Sequence, residues 1–516
     1  MGDESTPLSK RDARHLLRRA GFGAPQTQVD TWFDSNTTRG AAADQLLAFP
    51  KRVFKPLGRQ IYDRHNAWIR HMITTPTPLQ EKLVLFWHDH FATSNDKVGN
   101  PVLMGNQNAL LRKFCVGNFK DFVKAINTDA AMLEFLDTVR NAQDQPNENY
   151  ARELQELFTL GVADYNNNRN YEQADIVQIA RAFTGWNYNN KGVATFDGGK
   201  HDLTMDHSDR GPKVIYKTHG GFGVGGADFT LAPYNPAGEG RGEIDGVVEA
   251  IFAHKDSDGQ HTVARYITGK LFTFLAQPYP KRPAQMTQAQ RNTLKPIIDQ
   301  LISDSGFATS WELKPLIRAI LVSDAFYATE VPADPQTGFA AADLKSVKWP
   351  VDYVVSTMRG LKMRLRRHNG STFVAGGDFH DIADQLNDMG QVLFAPPSVF
   401  GWNWETAWIN SATLLARCQF IVDLISARGA GPTHFQPTRL VSRTLTDPTT
   451  IVTAVTDVLG ITDQLTDADV TTLITYLKTN ENGTQTSIDL NDSDVRNRKL
   501  NGLFGLILQS PAYQLH

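Results

Sequence analysis

Long apolar runs are missing from this chain of 516 residues. No stretch approaches about 18 uninterrupted apolar residues, so no membrane-crossing helix is expected. The opening MGDESTPLSK has no apolar h-region, so no signal peptide is expected either. Cysteine is scarce: Cys115 and Cys418 each stand alone. That excludes a disulfide framework and a cysteine-based zinc site. No run of one charge sign occurs, and 52 basic against 55 acidic residues leave a net charge of −3. The short cluster Arg364, Arg366, Arg367 and His368 reads as a solvated helix end, so no nucleic-acid partner is expected. GxxxxGK[ST], GxSxG and HExxH are absent. The glycine run from Gly220 to Gly226 lacks a preceding strand and a following helix, so no nucleotide cofactor is expected.

What is present is a large helical core. Hydrophobic residues make up 41% and aromatic residues 10% of the chain, enough to exclude disorder. Helical spacing marks 9–20 after the Ser9 cap, and 78–90 with Pro78 in its first turn. It also marks 105–126, 147–160, 171–185, 244–254, 260–277, 286–304, 312–323, 345–360, 378–389 and 408–428. The last quarter adds 449–459, 466–480 with Thr466 or Asp467 as its cap, and 494–509. Residues 187–243 differ: rich in Gly, Asn and Asp, they read as an irregular excursion with β-prone pieces at 193–196 and 213–217. The expectation is a mainly α fold: a large, multi-helix, orthogonal or bundle-like domain whose long irregular loop region holds at most a small β-hairpin. It divides into a main helical domain over 1–428, a linker over 429–447 and a C-terminal helical subdomain over 448–516.

Three places carry residue types suited to chemistry. The first is Trp87-His88-Asp89-His90-Phe91. Histidines two apart point about 200° from one another on an ideal helix. They reach one ion only if the helix ends near His88 and the chain turns. Imidazole suits Zn, Fe, Cu or Ni. The plainer reading is one structural and one exposed histidine. The second is the stretch from Asn147 to Glu156. Asn149, Glu153 and Glu156 share one face, while Glu148, Arg152 and Glu156 form a row suited to ordinary ion pairs. Leu154, Leu157, Phe158 and Leu160 give this helix an apolar face that would bury some of its carboxylates, and buried carboxylates need cations, hydrogen bonds or a metal. The third is Glu172, Asp175, Arg181, Thr184 and Trp186, which the excursion can cover with His207, Asp209 and Lys213.

Together these blocks resemble the bacterial family catalogued as domain of unknown function 1800. The resemblance runs through HLLRRAGFG from His15, EKLVLFWHDHFATS from Glu81, NENYARELQELFTLGV from Asn147 and YEQADIVQIARAFTGW from Tyr171. It continues through HSDRGPKV from His207 and MGQVLFAPPSVFGWNWETAWI from Met389. It implies a mostly helical fold, members that look mainly exported, and genes neighbouring sulfatase-like proteins, hence saccharide or sulfated-glycan metabolism and a sulfatase-like partner. The family's polar blocks fall here on His15, Arg18, His88, His90, Asn149, Arg152, Glu153, Glu156, Asp175, Arg181, His207, Asp209 and Lys213. This chain has Phe158 where the family's glutamate helix often has histidine.

Two readings follow. In one, the protein is an enzyme acting on a carbohydrate or other anionic small molecule. Its catalytic groups are Glu153, Glu156, Arg152, Asp175, Arg181 and Lys213. A divalent transition metal (Zn, Fe or Mn) is held by His88, His90, Glu153 and His207, or the carboxylates and histidines move protons without one. In the other, the protein binds or assembles with a neighbouring hydrolase and the polar cluster is a structural network.

Overall fold

The computed structural model describes all residues except 1, 51–53, 203–210, 217–228, 232–239, 329, 332–341, 344, 368–372, 375–380, 427–432, 481–482 and 485–487. The fold is mainly α, and the sequence signals act where they stand. The Ser9 side chain accepts the Asp12 N–H and starts the helix Lys10–Arg19. Pro78 opens Pro78–His90, where its missing N–H has no intrahelical partner to lose. Thr466 and Asp469 form a capping box on Asp467–Lys478. The stretch expected over 105–126 is instead two helices, Pro101–Phe114 and Phe119–Ile126, because Asn118 caps the second afresh by accepting from Asp121.

Among the described residues, four helices longer than a single turn lie where apolar spacing marks none: Gln26–Asp34, Arg39–Leu46, Ile61–Thr74 and Ala130–Phe135. Ile61–Thr74 gives the reason. Its buried residues include Arg64, His65 and Asn66 beside Trp68, Ile69 and Met72, so polar residues interrupt the apolar stripe.

Pro78–His90 lies at the centre, with every residue from Leu79 to His90 buried. Its charged members are all paired, as burial requires. Glu81 accepts two bonds from the Arg112 guanidinium, at 2.8 and 2.7 Å, and one from Trp68 Nε1. Lys82 meets Asp352 at 2.6 Å. The C-terminal helices Pro448–Leu459, Asp467–Lys478 and Asn501–Gln509 join the rest through Arg14–Asp457 and Arg18–Asp463 ion pairs, and Asn501–Gln509 packs against Ser411–Ser426. No helix among the described residues is long and apolar enough to cross a membrane.

Strands are few. Within the excursion, Trp186–Tyr188 pairs antiparallel with Ala194–Phe196, placing Trp186 opposite Phe196 and Asn187 opposite Thr195. Val214–Ile215 pairs with Phe229–Thr230. Ribbons this short are not stable alone; here they are fastened to the helices by buried polar groups.

Candidate active site

The His-Asp-His tripeptide is a buried hub. Its helix continues through His90, so the turn near His88 that would let the two imidazoles converge does not occur. Each of the three side chains meets a different part of the chain. His88 Nε2 accepts the Phe394 N–H at 2.9 Å, so the ring proton sits on Nδ1. Burial, with His65 alongside, lowers its pKa to about 3 and keeps it neutral. His90 Nε2 lies 3.1 Å from the Phe158 carbonyl and Nδ1 lies 2.7 Å from Lys270 Nζ. A carbonyl only accepts, so Nε2 donates to it and Nδ1 accepts from Lys270. Burial holds both His90 and Lys270 well below their usual ranges, and Lys270 and Lys281 respectively add to it.

Asp89, between them, carries the heaviest load. It accepts from Trp402 N at 2.7 Å and Trp404 Nε1 at 3.1 Å, and forms a close ion pair with Lys281. Lys281 also donates to the Phe400 carbonyl at 2.8 Å. Trp402 and Trp408 are buried against Trp349, so the aromatics of this segment form a core turn.

These contacts test the metal reading. The acceptor nitrogens of both rings are already used and the rings diverge, so His88 and His90 do not fit a shared ion. Among the described residues no group of three or more His, Cys, Asp or Glu is placed to hold a metal. His207 and Asp209 lie outside the described residues. Two other family positions are also engaged in packing: His15 contacts the Phe326 carbonyl at 2.8 Å, and Arg18 binds Asp463 and the Gly460 carbonyl.

The glutamate helix is different, because it is half-buried rather than closed. Asn147 Oδ1 accepts the Asn149 N–H and starts Asn149–Glu153. From Leu154 to Thr159 the ladder becomes π-helical, with Leu160 N and Gly161 N both bonded to the Gln155 carbonyl. Such widened turns recur at functional sites. Glu153 sits at the junction. Burial and then the neighbouring Glu156 raise its pKa to about 7, against the pull of Arg152 and Arg282. Its Oε2 is buried with no hydrogen-bond partner. Glu156 accepts from the Tyr171 hydroxyl at 3.0 Å. Arg152 is shared between Glu148 at 3.2 Å and Gln173 at 3.0 Å. Arg282 stacks over Phe400, 4.6 Å from the ring centre. A carboxyl poised near neutrality beside a second carboxyl and two guanidinium groups is equipped for proton transfer next to a bound anion.

Asp175, Arg181 and Lys213 belong elsewhere. Asp175 accepts from Glu172 N and Tyr216 N, both at 2.7 Å, capping its own helix and pinning the excursion. Arg181 forks onto Asp202 at 2.9 and 3.2 Å. Lys213 binds Glu243 at 2.7 and 2.9 Å and the Asp202 carbonyl at 2.6 Å; Glu243 also holds His201. All these side chains are buried, which makes the group a clamp on the base of the excursion.

So Glu153, Glu156 and Arg152 come together, whereas His88 and His90 are each engaged in separate buried contacts and Asp175, Arg181 and Lys213 belong to others. Sequence reasoning missed Asp89, Lys270, Lys281, Arg282, Tyr171 and Glu243. An aspartate inside a helix buried on all sides was the available signal for the first of them.

The fold and site define a class: a helical protein with closed internal ion-pair networks and one open acid pair on a π-helical turn. The family model described as Protein of unknown function (DUF1800) matches residues 15–515, and the chain belongs to that family. No curated protein and no solved structure matches it.

Proposed function

We propose that the protein is an enzyme acting on an anionic, hydroxyl-rich small molecule such as an acidic saccharide, with Glu153 and Glu156 as its reacting groups. Glu153 is the proton donor, because its carboxyl keeps a proton close to neutral pH. Glu156 is its partner, held in place by the Tyr171 hydroxyl. Arg152 and Arg282 hold the substrate's negative charge. The observation that carries this reading is Glu153 itself, raised to about 7 with a buried, unpartnered Oε2 at the π-helical junction. Protonatable groups tuned toward the working pH are the usual mark of acid–base catalysis.

The test is turnover of a panel of uronate-bearing and sulfated oligosaccharides by the unaltered chain, Glu153→Gln and Glu156→Gln. A drop of at least about a hundredfold in kcat for Glu153→Gln, and loss of the limb of the pH–rate profile near 7, are expected. An unchanged rate in Glu153→Gln overturns the assignment. So does a Glu153 side-chain carboxyl that titrates near 4.5 by carbon NMR.

A second reading, a noncatalytic binding or assembly protein for a neighbouring hydrolase, is favoured by the closed, paired condition of the His88–His90 hub and the Lys213–Glu243 clamp. It predicts no turnover on any substrate and a carboxyl pair that can be neutralised without functional loss.

A further inference from the structure

A hollow of about 370 Å³ lies between the short helical turn Thr138–Arg140 and the Trp186–Tyr188/Ala194–Phe196 hairpin. It is at the lower end of the volumes that hold small ligands, roughly 300–1,000 Å³. Its lining is rich in donors. Arg140 and Lys200 are 76% and 63% exposed at their side chains, and each reaches a carboxylate only at 3.8 Å, Asp137 and Asp197 respectively. That is beyond hydrogen-bond length, so in these two ion pairs the carboxylate does not take up the N–H donors of its cation. Asn187 and Thr195 face one another across the hairpin, on the side opposite Trp186 and Phe196. Asn187 Oδ1 is taken by the Tyr188 N–H, leaving the amide NH2 as a donor. Trp186 lines the same hollow, and its indole N–H is buried without a partner. The turn is also tied to the start of the glutamate helix, since Asn141 Oδ1 accepts Asn147 N at 2.8 Å.

The lining sets two cations against one carboxylate, Asp197, and so favours a ligand of negative charge. Two cations ask for one localised negative charge, and an amide and a hydroxyl side by side suit sugar hydroxyls. Two isolated cations are too few for a nucleic-acid backbone. We propose that this hollow is a binding subsite for an acidic sugar, a pyranose bearing a carboxylate or a sulfate. Arg140 and Lys200 hold the charged group, and Asn187 and Thr195 hold the hydroxyls. As a statement about substrate class it rests on the reading of Glu153 as the reacting group; as a binding site it stands without it.

The experiment is an indole ¹H–¹⁵N titration of the full chain, reading the Trp186 signal assigned through its loss in Trp186→Phe. The probes are glucuronate, glucose 6-sulfate, glucose and inorganic sulfate. Both charged sugars are expected to shift the signal saturably, and glucose at the same concentration to leave it in place. Arg140→Ala/Lys200→Ala, both on the exposed rim, is expected to weaken binding at least tenfold, and Asp197→Asn to tighten it. A response to only one charged sugar identifies which charged group the site accepts and still supports it. No shift with either sugar overturns the proposal, as does equal binding by the double variant. Inorganic sulfate acting as strongly as the charged sugars overturns the sugar assignment. Glu153→Gln leaves this titration unchanged, so failure of the subsite and failure of the catalytic reading are told apart.

Discussion

Asp89 lies directly beneath Gly401: a Cβ placed on Gly401 would fall 2.2 Å from Asp89 Oδ1 and 2.5 Å from the Asp89 carbonyl oxygen. Gly401 also has φ of +74°, a conformation that L side chains avoid at a cost of roughly 1–2 kcal/mol. The close approach is what lets the next residue, Trp402, give its N–H to the carboxylate. Gly401→Ala must therefore either push the loop away or break that bond. The expected loss is about 3 kcal/mol or more in denaturant unfolding, with Trp402 and Trp404 fluorescence altered. A loss under about 1 kcal/mol would mean that the loop is not held by Asp89.

The Glu153 carboxyl gives a stability test independent of activity. Its folded pKa of about 7 lies above the ordinary 4.5, so between these values the folded state holds a proton that the unfolded chain releases. Stability must then fall as pH rises through this window. Glu153→Gln removes that dependence. Its Tm relative to the unaltered chain is expected to climb between pH 4.5 and 8, by roughly 1–3 °C in total. A difference that stays flat across the range contradicts the raised pKa.

Glu81 shows the opposite sign. Burial alone would raise its pKa, but the bonds and charge of Arg112, helped by His71, bring it down to about 2. The stabilisation is complete above 4.5 and is lost as pH falls toward 2. Glu81→Gln leaves Arg112 buried without its counter-charge, an expected cost of about 3–5 kcal/mol at neutral pH. The gap between variant and unaltered chain is expected to narrow in acid, checked by urea unfolding at pH 7 and pH 3.

His90 and Lys270 form a pair suited to a double-mutant cycle. Lys270→Met strips the His90 Nδ1 acceptor of its donor, and His90→Phe does the reverse; each is expected to cost about 1–3 kcal/mol. With both replaced neither member of the pair is stranded, and the Phe158 carbonyl loses its His90 donor in the His90→Phe single variant and the double variant alike, so the double variant is expected to lose at least about 1 kcal/mol less than the sum. Strict additivity would show that the 2.7 Å contact contributes nothing.

How much of this could be read from the chain depends on which interactions are local. Helices with an apolar stripe and a cap, such as Lys10–Arg19 and Asp467–Lys478, were legible because both signals lie within a few residues. Ile61–Thr74 was not, since its buried Arg64, His65 and Asn66 bond to partners that spacing does not reveal. The placing of Glu153 and Glu156 on one face, and the pairing of Arg152 with Glu148, were legible for the same local reason. The π-helical ladder was not, because spacing records side chains and not which carbonyl an N–H finds. Arg282 and Phe400, which complete that surface, come from far along the chain. His88 and His90 drew attention as ligands, while Asp89 between them, which bonds to Trp402, Trp404 and Lys281, was given no role.

The tripeptide also bears on the order in which the molecule assembles. The bonds from its first two residues to Phe394, Trp402 and Trp404 join positions 306, 313 and 315 residues apart. Loop-closure entropy for such spans must be met before any of these bonds rewards the chain, so they close late. During synthesis, Asp89 emerges long before Lys281, which neutralises it, and longer still before the segment whose Trp402 and Trp404 donate to it. Until that segment arrives, the central helix cannot be sealed, and a nascent chain stopped short of Trp404 exposes apolar surface that the finished protein buries.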